Sequence, residues 1–288
     1  MVILSRGGCG LSKCITRYLV SMAAADLMVI VNGVVLNRVR ANFPAGSFLD
    51  LTPVHGFRLV LLQASTDVSV WLTVSFTFDR FLAICCRTLA AQCGRARGAV
   101  VAIASVNAFF CLKNIPMYFT CEASYVVGDV RWGCALVADY YTSWAWAVYD
   151  WVHNVLTPFL PCLLILLLNA MTVRHIVVAS RARGRLRGHG NGGKEKDPEM
   201  ESRRRSIVLL FSISGSFVLL WMTYMAQVVY YRTVTSDYAA SRLIFKEVGY
   251  MLLFLSCCTN TCIYTVTQRL FRQKLFKMAT YPFSRFIK

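Results

Sequence analysis

The sequence TFDRFLAICC, residues 77–86, closes an apolar run that begins near Leu59. The run is long enough to cross a membrane, which takes about 20 apolar residues in a helix. An acid or an arginine at the centre of such a helix costs about 2.5–3.5 kcal/mol, and less near the interface. The adjacent Asp79 and Arg80 are therefore more typical of a functional position than of an incidental one.

Composition indicates that most of the chain lies in a membrane. Of its 288 residues, 57% are hydrophobic and 16% are charged, against about 45–50% apolar and 25% charged in soluble domains. Because lipid cannot hydrogen-bond an exposed backbone, long apolar runs predict helices rather than open strands. We therefore predict an all-α membrane protein with six full spans, at roughly 16–38, 54–86, 97–119, 144–178, 206–231 and 246–267.

The net charge of +17 is unevenly distributed along the chain. Most Lys and Arg residues fall on alternate loops, which places those loops and the C-terminus in the cytoplasm by the positive-inside rule. This distribution suits an anionic lipid surface and argues against a nucleic-acid partner. We expect a multi-pass protein of the plasma membrane.

The bundle forms one predicted domain, residues 1–280, followed by a cytoplasmic tail at 281–288. Residues 181–205 are basic at both ends and rich in glycine in the middle, which predicts a flexible cytoplasmic loop. Residues 268–279 place apolar and basic side chains on opposite faces, which predicts an amphipathic helix on the membrane surface. Residues 1–4 are typical of the end of a helix that begins upstream.

Asp26 lies well inside the first full span and needs partners there. Ser69 in the second span, and Ser256 and Asn260 in the last, supply oxygen atoms of the kind that hard cations prefer. Two interpretations stay open: a bound sodium ion, or a hydrogen-bonded polar core without metal. We expect no other cofactor.

Of the 12 cysteines, only Cys121 and Cys134 fall in a clearly extracellular loop, where a disulfide within the loop is one option. Most of the others lie inside spans or on the basic side, which is typical of reduced, buried cysteines. No spacing of His and Cys is typical of a zinc site.

Several motifs follow one another in the order found in one family. They are Ala25-Asp26-Leu27, Asp79-Arg80-Phe81, Pro161 with Asn169, Phe217 with Trp221, Asn260-Thr261-Cys262-Ile263-Tyr264, and Phe271. On these residues the chain resembles a class A, rhodopsin-like G-protein-coupled receptor from residue 11 to about 277. More narrowly, it is similar to a small group of brain orphan receptors for which aromatic amino acids are proposed agonists.

The resemblance implies a seven-helix bundle, here six full helices and a stub of the first. It implies a receptor that passes an extracellular small-molecule or peptide signal to a heterotrimeric G protein, mainly of the Gq type, and no enzyme activity. It also implies an activation switch, whose residues would be Asp79, Arg80, Phe217, Trp221, Asn260 and Tyr264.

The sequence departs from the family pattern at several positions. His55 stands where the family has its disulfide cysteine, which leaves Cys134 without its usual partner. Thr223 and Thr261 replace two prolines, so the usual kinks lose their main cause. Arg203 replaces an acid that often holds Arg80, so we predict a weak inactive-state latch.

Polar and aromatic side chains in the outer half of the bundle are candidates for a ligand pocket. Asp67 and His153 form either an acid–imidazole pair in the pocket or a satisfied core pair. Arg58 or Arg242 is placed to meet a carboxylate near the mouth, whereas Leu62 stands where amine receptors carry an aspartate. The pocket candidates are Arg58, Gln63, Asp67, His153, Tyr224, Gln227 and Tyr250.

Two alternatives to a signalling receptor stay open. One is a truncated receptor fragment that does not signal. The other is a membrane transporter or channel, because intramembrane acids such as Asp26 and Asp67 often mark ion paths.

Overall fold

Long helices dominate the computed structural model, which describes residues 12–42, 47–86, 95–187, 198–233, 239–267, 271–273 and 275–277. We label the six long helices of this part α1 to α6. Their bounds are α1 Lys13–Asn42, α2 Thr52–Cys85, α3 Arg95–Lys113, α4 Trp144–Arg187, α5 Pro198–Thr233 and α6 Ala239–Thr267.

Each predicted span lies within, or mostly within, one of these helices, which confirms the all-α membrane fold. Five helical segments of the described residues are long and apolar enough to cross a bilayer. The predicted span at 246–267 lies in α6, which packs along α5. The five segments are Lys13–Asn42, Thr52–Cys85, Arg97–Thr120, Trp144–Arg181 and Ile207–Tyr230.

The predicted cytoplasmic loop at 181–205 is helical at both of its ends. Helix α4 continues to Arg187, and α5 begins at Pro198; residues 188–197 lie outside the described residues. Arginine and leucine are good helix formers, and proline is favoured in the first turn of a helix. The prediction of a loop over the whole segment was therefore too wide.

Helix α2 is the centre of the bundle and packs against α1, α3, α4 and α5. One cluster of buried apolar residues surrounds its Arg80 end, where Leu72 and Phe76 meet Leu19 and Leu210. A second cluster lies further along the bundle and contains Val70, Ile165, Phe217, Trp221 and Leu253. Both clusters place side chains of α2 against other helices, so the polar residues of α2 point into protein.

Two π-helical segments interrupt the regular hydrogen bonding, Val31–Val35 in α1 and Val155–Phe159 in α4. Pro158 lies inside the second segment and has no N–H to donate. The carbonyl of Leu156 in that segment accepts a hydrogen bond from Trp71 Nε1 at 2.9 Å. Such segments expose backbone carbonyls that side chains on neighbouring helices can use.

A small β structure covers one end of the bundle between α3 and α4. The strands β1 Cys121–Glu122 and β4 Ala135–Leu136 pair antiparallel, as do β2 Tyr125–Val127 and β3 Val130–Trp132. Gly128 begins the tight turn between β2 and β3 with φ +61°, a conformation that suits glycine. We call residues 121–136 the hairpin loop.

The hairpin loop is fixed to the start of α2 through its backbone. Gly133 N donates to Asp50 O at 2.7 Å, and Thr52 Oγ1 donates to Gly133 O at 2.8 Å. A disulfide joins Cys121 to Cys134 inside the loop. The loop is therefore closed on itself and meets α2 through hydrogen bonds, with His55 in the first turns of α2.

The amphipathic segment at 268–279 is described only in part. Residues 271–273 and 275–277 are helical. Phe271 is buried in the first core cluster with Leu275 packed beside it, whereas Phe276 is 72% exposed. The predicted tail at 281–288 and the predicted helix stub at residues 1–4 lie outside the described residues.

Candidate functional site

Arg80 is almost fully buried at one end of the bundle. The residue is 5% exposed and forms a salt bridge with Asp79 on its own helix. Its guanidinium lies 5.9 Å from the ring centre of Phe76, and its Nε has no hydrogen-bond partner. A buried arginine held mainly by its neighbour is a charge that can be redirected when the surrounding helices move.

Cys14 on α1 is a third polar residue at this end of the bundle, beside Asp79 and Arg80. It was not predicted from the sequence. Its thiol donates to Asp79 Oδ1 at 3.4 Å, and Arg80 Nη2 donates to its sulfur at 3.9 Å. A thiol is a weak hydrogen-bonding group, so this contact holds the pair less firmly than a carboxylate would. Arg203 lies in α5, but its side chain is outside the described residues, so the weak latch stays a prediction.

Asp26 in α1 is bonded to two of the residues predicted to surround it. Ser69 Oγ donates to Asp26 Oδ1 at 2.5 Å, and Asn260 Nδ2 donates to Oδ2 at 2.7 Å. Ser256 donates instead to the carbonyl of Leu253, one turn back on α6, at 2.6 Å. These contacts join α1, α2 and α6 through one buried carboxylate.

A small cavity lies beside this carboxylate, between α2, α5 and α6. Its volume of about 20 Å³ is enough for a water molecule. Its lining combines hydroxyl and amide groups with the rings of Phe217 and Trp221. The residues that line it are Thr66, Ser69, Val70, Thr73, Ile213, Ser216, Phe217, Trp221, Ser256, Cys257 and Asn260.

A row of aromatic rings runs from this cavity along α5 and α6. Phe217 stacks on Trp221 at 5.2 Å, and Trp221 meets Tyr224 at 5.7 Å between ring centres. Tyr224 then meets Tyr250 at 5.9 Å, although Tyr250 is 37% exposed rather than fully inward as expected. The row ends at Phe254, 6.5 Å from Tyr250. The side chain of Tyr264 lies outside the described residues.

Asp67 is fully buried and carries three hydrogen bonds from two other parts of the chain. Lys113 Nζ lies 2.7 Å from its Oδ2, and Asn114 Nδ2 donates to the same oxygen at 2.7 Å. Thr157 Oγ1 donates to Oδ1. A buried carboxylate with a counter-charge and two further donors is well satisfied.

The predicted pairing of Asp67 with His153 is indirect, because Lys113 lies between them. Lys113 Nζ is 2.7 Å from His153 Nδ1 as well as from Asp67. His153 is 6% exposed, so the imidazole belongs to the same buried network. Lys113 was not among the predicted site residues, although a lysine inside the predicted apolar span at 97–119 was itself a signal. We call Asp67, Lys113, Asn114, His153 and Thr157 the lysine network.

Arg58 on α2 is buried rather than open at the mouth. It is 7% exposed, and its Nη2 donates to Asn32 O at 3.2 Å and to Asn37 Oδ1 at 2.9 Å. Its Nε and Nη1 have no hydrogen-bond partner among the residues that the structure describes. The side chain of the other candidate arginine, Arg242, lies outside the described residues.

The two glutamines of the predicted pocket differ in their surroundings. Gln63 is half-buried on α2. Gln227 on α5 is 6% exposed, and its Oε1 has no hydrogen-bond partner. Its amide lies so close to Gly249 on α6 that an added Cβ would meet Oε1 at 2.2 Å.

Clusters of the kind that bind transition metals do not occur in the described ranges. No three His, Cys, Asp or Glu side chains gather there in a way that could hold a metal ion. The buried polar sites described above are Arg80 with Asp79, the Asp26 site, the lysine network and Arg58.

Known proteins resemble this chain over most of its length. It is 25% identical over 218 residues to the mouse (Mus musculus) protein called Probable G-protein coupled receptor 142, with 74% of this chain and 51% of the relative covered. It is also 25% identical over 277 residues to bovine (Bos taurus) G-protein coupled receptor 52, with 92% of this chain and 71% of the relative covered. The chain thus spans about half the length of the mouse relative.

A family model agrees with the motifs and with the helical bundle. The model described as "7 transmembrane receptor (rhodopsin family)" matches residues 3–264, which include every long helix except the last residues of α6. Members of this family are membrane receptors, not enzymes. The chain belongs to the rhodopsin family of seven-transmembrane receptors.

Proposed function

We propose that this chain is a G-protein-coupled receptor of the plasma membrane, with its C-terminus in the cytoplasm. An extracellular small molecule or peptide would be its agonist, and a heterotrimeric G protein, of the Gq type, would be its partner. The resemblance to the orphan group makes aromatic amino acids the first agonists to test.

The main support for the proposal is the burial of Arg80 together with its incomplete hydrogen bonding. A 5% exposed arginine at the end of the bundle has Asp79 and the thiol of Cys14 as its polar contacts and keeps an unpaired Nε. Buried charges are normally paired and fully hydrogen-bonded. A charge that is paired with its own neighbour in sequence and keeps an unused donor is suited to changing partners when a G protein opens the neighbouring helices.

The aromatic row offers a route from a ligand to Arg80. Trp221 and Phe217 border the cavity that also contains Ser69 and Asn260, the two partners of Asp26. Movement of Trp221 would therefore change the packing next to a buried carboxylate shared by three helices. A ligand biases such an equilibrium only if it binds one of the two states better.

The Asp26 site also fits an allosteric sodium ion. Asp26, Ser69, Ser256 and Asn260 supply oxygen atoms, and the adjoining cavity has space for a water molecule. Bound sodium would supply a positive charge to the carboxylate. These residues would hold it and would link α1, α2 and α6 in one state of the receptor.

The transporter or channel alternative is less well supported by the same contacts. Asp26 and Asp67 are both bonded to neighbouring side chains, and the cavity beside Asp26 has a volume of only about 20 Å³. An ion path would need acids that face a continuous aqueous route.

The proposal is tested by G-protein activation in cells that express this chain. Energy transfer between Gα and Gβγ subunits is measured for the Gq, Gs and Gi classes, without agonist and with L-tryptophan or L-phenylalanine. We expect a Gq response. Arg80→Gln removes the charge that would meet the G protein, so its response should fall to the level of receptor-free cells.

The matched control is Arg97→Gln, which removes an exposed arginine at the start of α3. Surface amounts of all variants are measured with an N-terminal epitope tag. A response of Arg80→Gln equal to that of the unsubstituted receptor would contradict the assigned role of Arg80. Silence of every G-protein class at normal surface amounts would overturn the receptor function itself.

A further inference from the structure

Arg58 has unused hydrogen-bonding capacity in a place where water has little access. In the described part of the chain, its guanidinium is bonded through Nη2 alone, to Asn32 O and Asn37 Oδ1, both neutral acceptors. Nε and Nη1 are unpaired in a residue that is 7% exposed. Buried donors without partners are rare, so a site that keeps two of them has capacity for a further hydrogen-bond acceptor.

Among the described residues, no acid is left over to act as a counter-ion for Arg58. The nearby acid is Asp50, whose Oδ1 lies 2.6 Å from Arg40 Nε in a salt bridge. His55, one turn before Arg58 on α2, has an unpaired Nδ1 and supplies no negative charge. Arg40 and Asp50 cancel each other, so the guanidinium of Arg58 is left as a net positive centre.

The two buried acids of the described bundle are closed to an ammonium group of a ligand in different ways. Asp67 is neutralised by Lys113 and is also bonded to Asn114 and Thr157, so an ammonium group would have to displace Lys113. Asp26 is bonded to the neutral groups of Ser69 and Asn260, and the cavity of about 20 Å³ beside it has space for a water molecule or a small ion but not for an organic ammonium group. Arg58, by contrast, keeps unused donors.

The end of the aromatic row reaches α1 one residue away from a partner of Arg58. Its partner Asn32 precedes Gly33, where an added Cβ would lie 2.6 Å from Phe254 Cε1 and 3.1 Å from Leu62 Cδ1. Leu62 lies one turn along α2 from Arg58. Phe254 in turn stacks on Tyr250. A ligand with an anionic group at Arg58 would therefore place its apolar part against aromatic and aliphatic side chains.

We propose that Arg58 binds a carboxylate of the ligand, and that the ligand is selected as an acid with no requirement for an ammonium group. Guanidinium and carboxylate form strong charge-assisted hydrogen bonds, and either Nη1 or Nε of Arg58 can donate one to a carboxylate oxygen. This inference rests on the proposed receptor function and adds the chemical class of its ligand. Aromatic acids such as 3-phenylpropanoate would bind as well as L-phenylalanine does.

The first experiment measures thermal stabilisation of the purified receptor by five small molecules. The acids 3-phenylpropanoate and indole-3-propanoate, and the zwitterion L-phenylalanine, should raise the melting temperature. Phenethylamine, which keeps the amine without the acid, and methyl 3-phenylpropanoate, which masks the acid, should leave it unchanged. Stabilisation by phenethylamine with no effect of the acids would overturn the proposal.

Two substitutions test Arg58 itself. Arg58→Gln should weaken the effect of the acids at least about tenfold in concentration, the loss expected for one charged hydrogen bond. Asn37→Asp keeps Arg58 but places a carboxylate where Asn37 Oδ1 now lies, 2.9 Å from Nη2. Because this carboxylate would neutralise Arg58, the stabilisation by the acids should weaken by a similar factor. Arg131→Gln removes an exposed arginine of β3 and should have no effect.

Different results would overturn the proposed receptor function and the proposed acid site at Arg58. Acids that stabilise the receptor through Arg58 but activate no G protein would leave the acid site intact and overturn the signalling function. Activation by L-tryptophan or L-phenylalanine that is unchanged in both Arg58→Gln and Asn37→Asp would leave the receptor function intact and overturn the acid site. Unchanged stabilisation by acids in both variants would do the same.

Discussion

Replacing Lys113 by methionine should lower the free energy of unfolding by about 3 kcal/mol. Lys113 is the only cation bonded to Asp67 in the described structure, and Asp67 is fully buried. Breaking a buried ion pair by removing one partner costs about 3–5 kcal/mol, because a charge is left uncompensated. Asn114 and Thr157 would still donate to Asp67, which favours the lower end of that range.

The measurement is thermal unfolding of the purified receptor in detergent. For chains of this size, about 1 kcal/mol corresponds to roughly 2–4 °C, so Lys113→Met should lower the melting temperature by about 6–12 °C. The double variant Asp67→Asn with Lys113→Met should recover most of this loss, because no buried charge is left. The recovery would measure the coupling between the two residues.

The matched control is Lys246→Met, which removes an exposed lysine of α6 and should change the melting temperature little. If Lys113→Met melted within about 2 °C of the unsubstituted receptor, Lys113 would not stabilise the fold by compensating Asp67. The same would follow if the double variant were no more stable than Lys113→Met, since the loss would then not come from the unpaired acid.

Two further predictions use the same assay. Sodium chloride should raise the melting temperature above that in potassium chloride, and Asp26→Asn should abolish this difference; a sodium effect that persists in Asp26→Asn would contradict a sodium site at Asp26. Trp71→Phe keeps an aromatic ring against Phe110 but loses the hydrogen bond to Leu156 O. It should lower the free energy of unfolding by about 1 kcal/mol, and an unchanged melting temperature would show that this bond does not stabilise the bundle.

The helical bundle can be predicted from the sequence because the lipid interior offers no hydrogen bonds to the backbone. A segment that must satisfy its own backbone in lipid forms a helix, and its apolar length can be counted directly. For this reason the predicted spans and the helices agree closely, as at 54–86 and Thr52–Cys85. The ends of helices in water follow weaker preferences, which is why α4 and α5 extend into the predicted loop at 181–205.

The contacts of single polar residues were predicted less completely. Asp26 with Ser69 and Asn260 was predicted, because an acid inside an apolar span needs polar partners and few polar side chains of the other spans can supply them. Lys113 was missed, because it lies at the end of α3 and its role depends on side chains of α2 and α4 that only the packed bundle brings together.

The charge preference of the pocket is the clearest case in which the sequence is insufficient. From the sequence alone, Asp67 and Arg58 are equivalent candidates for binding a charged ligand. Asp67 would favour a cationic ligand, and Arg58 would favour an anionic one. Packing distinguishes them, because Asp67 is already neutralised by Lys113 whereas Arg58 meets only neutral acceptors. A buried charge with a partner stabilises the fold, and a buried charge without one is available to a ligand. Whether a buried charged residue already has an ionic partner therefore decides, more than the sign of its charge, which ligands the pocket can bind.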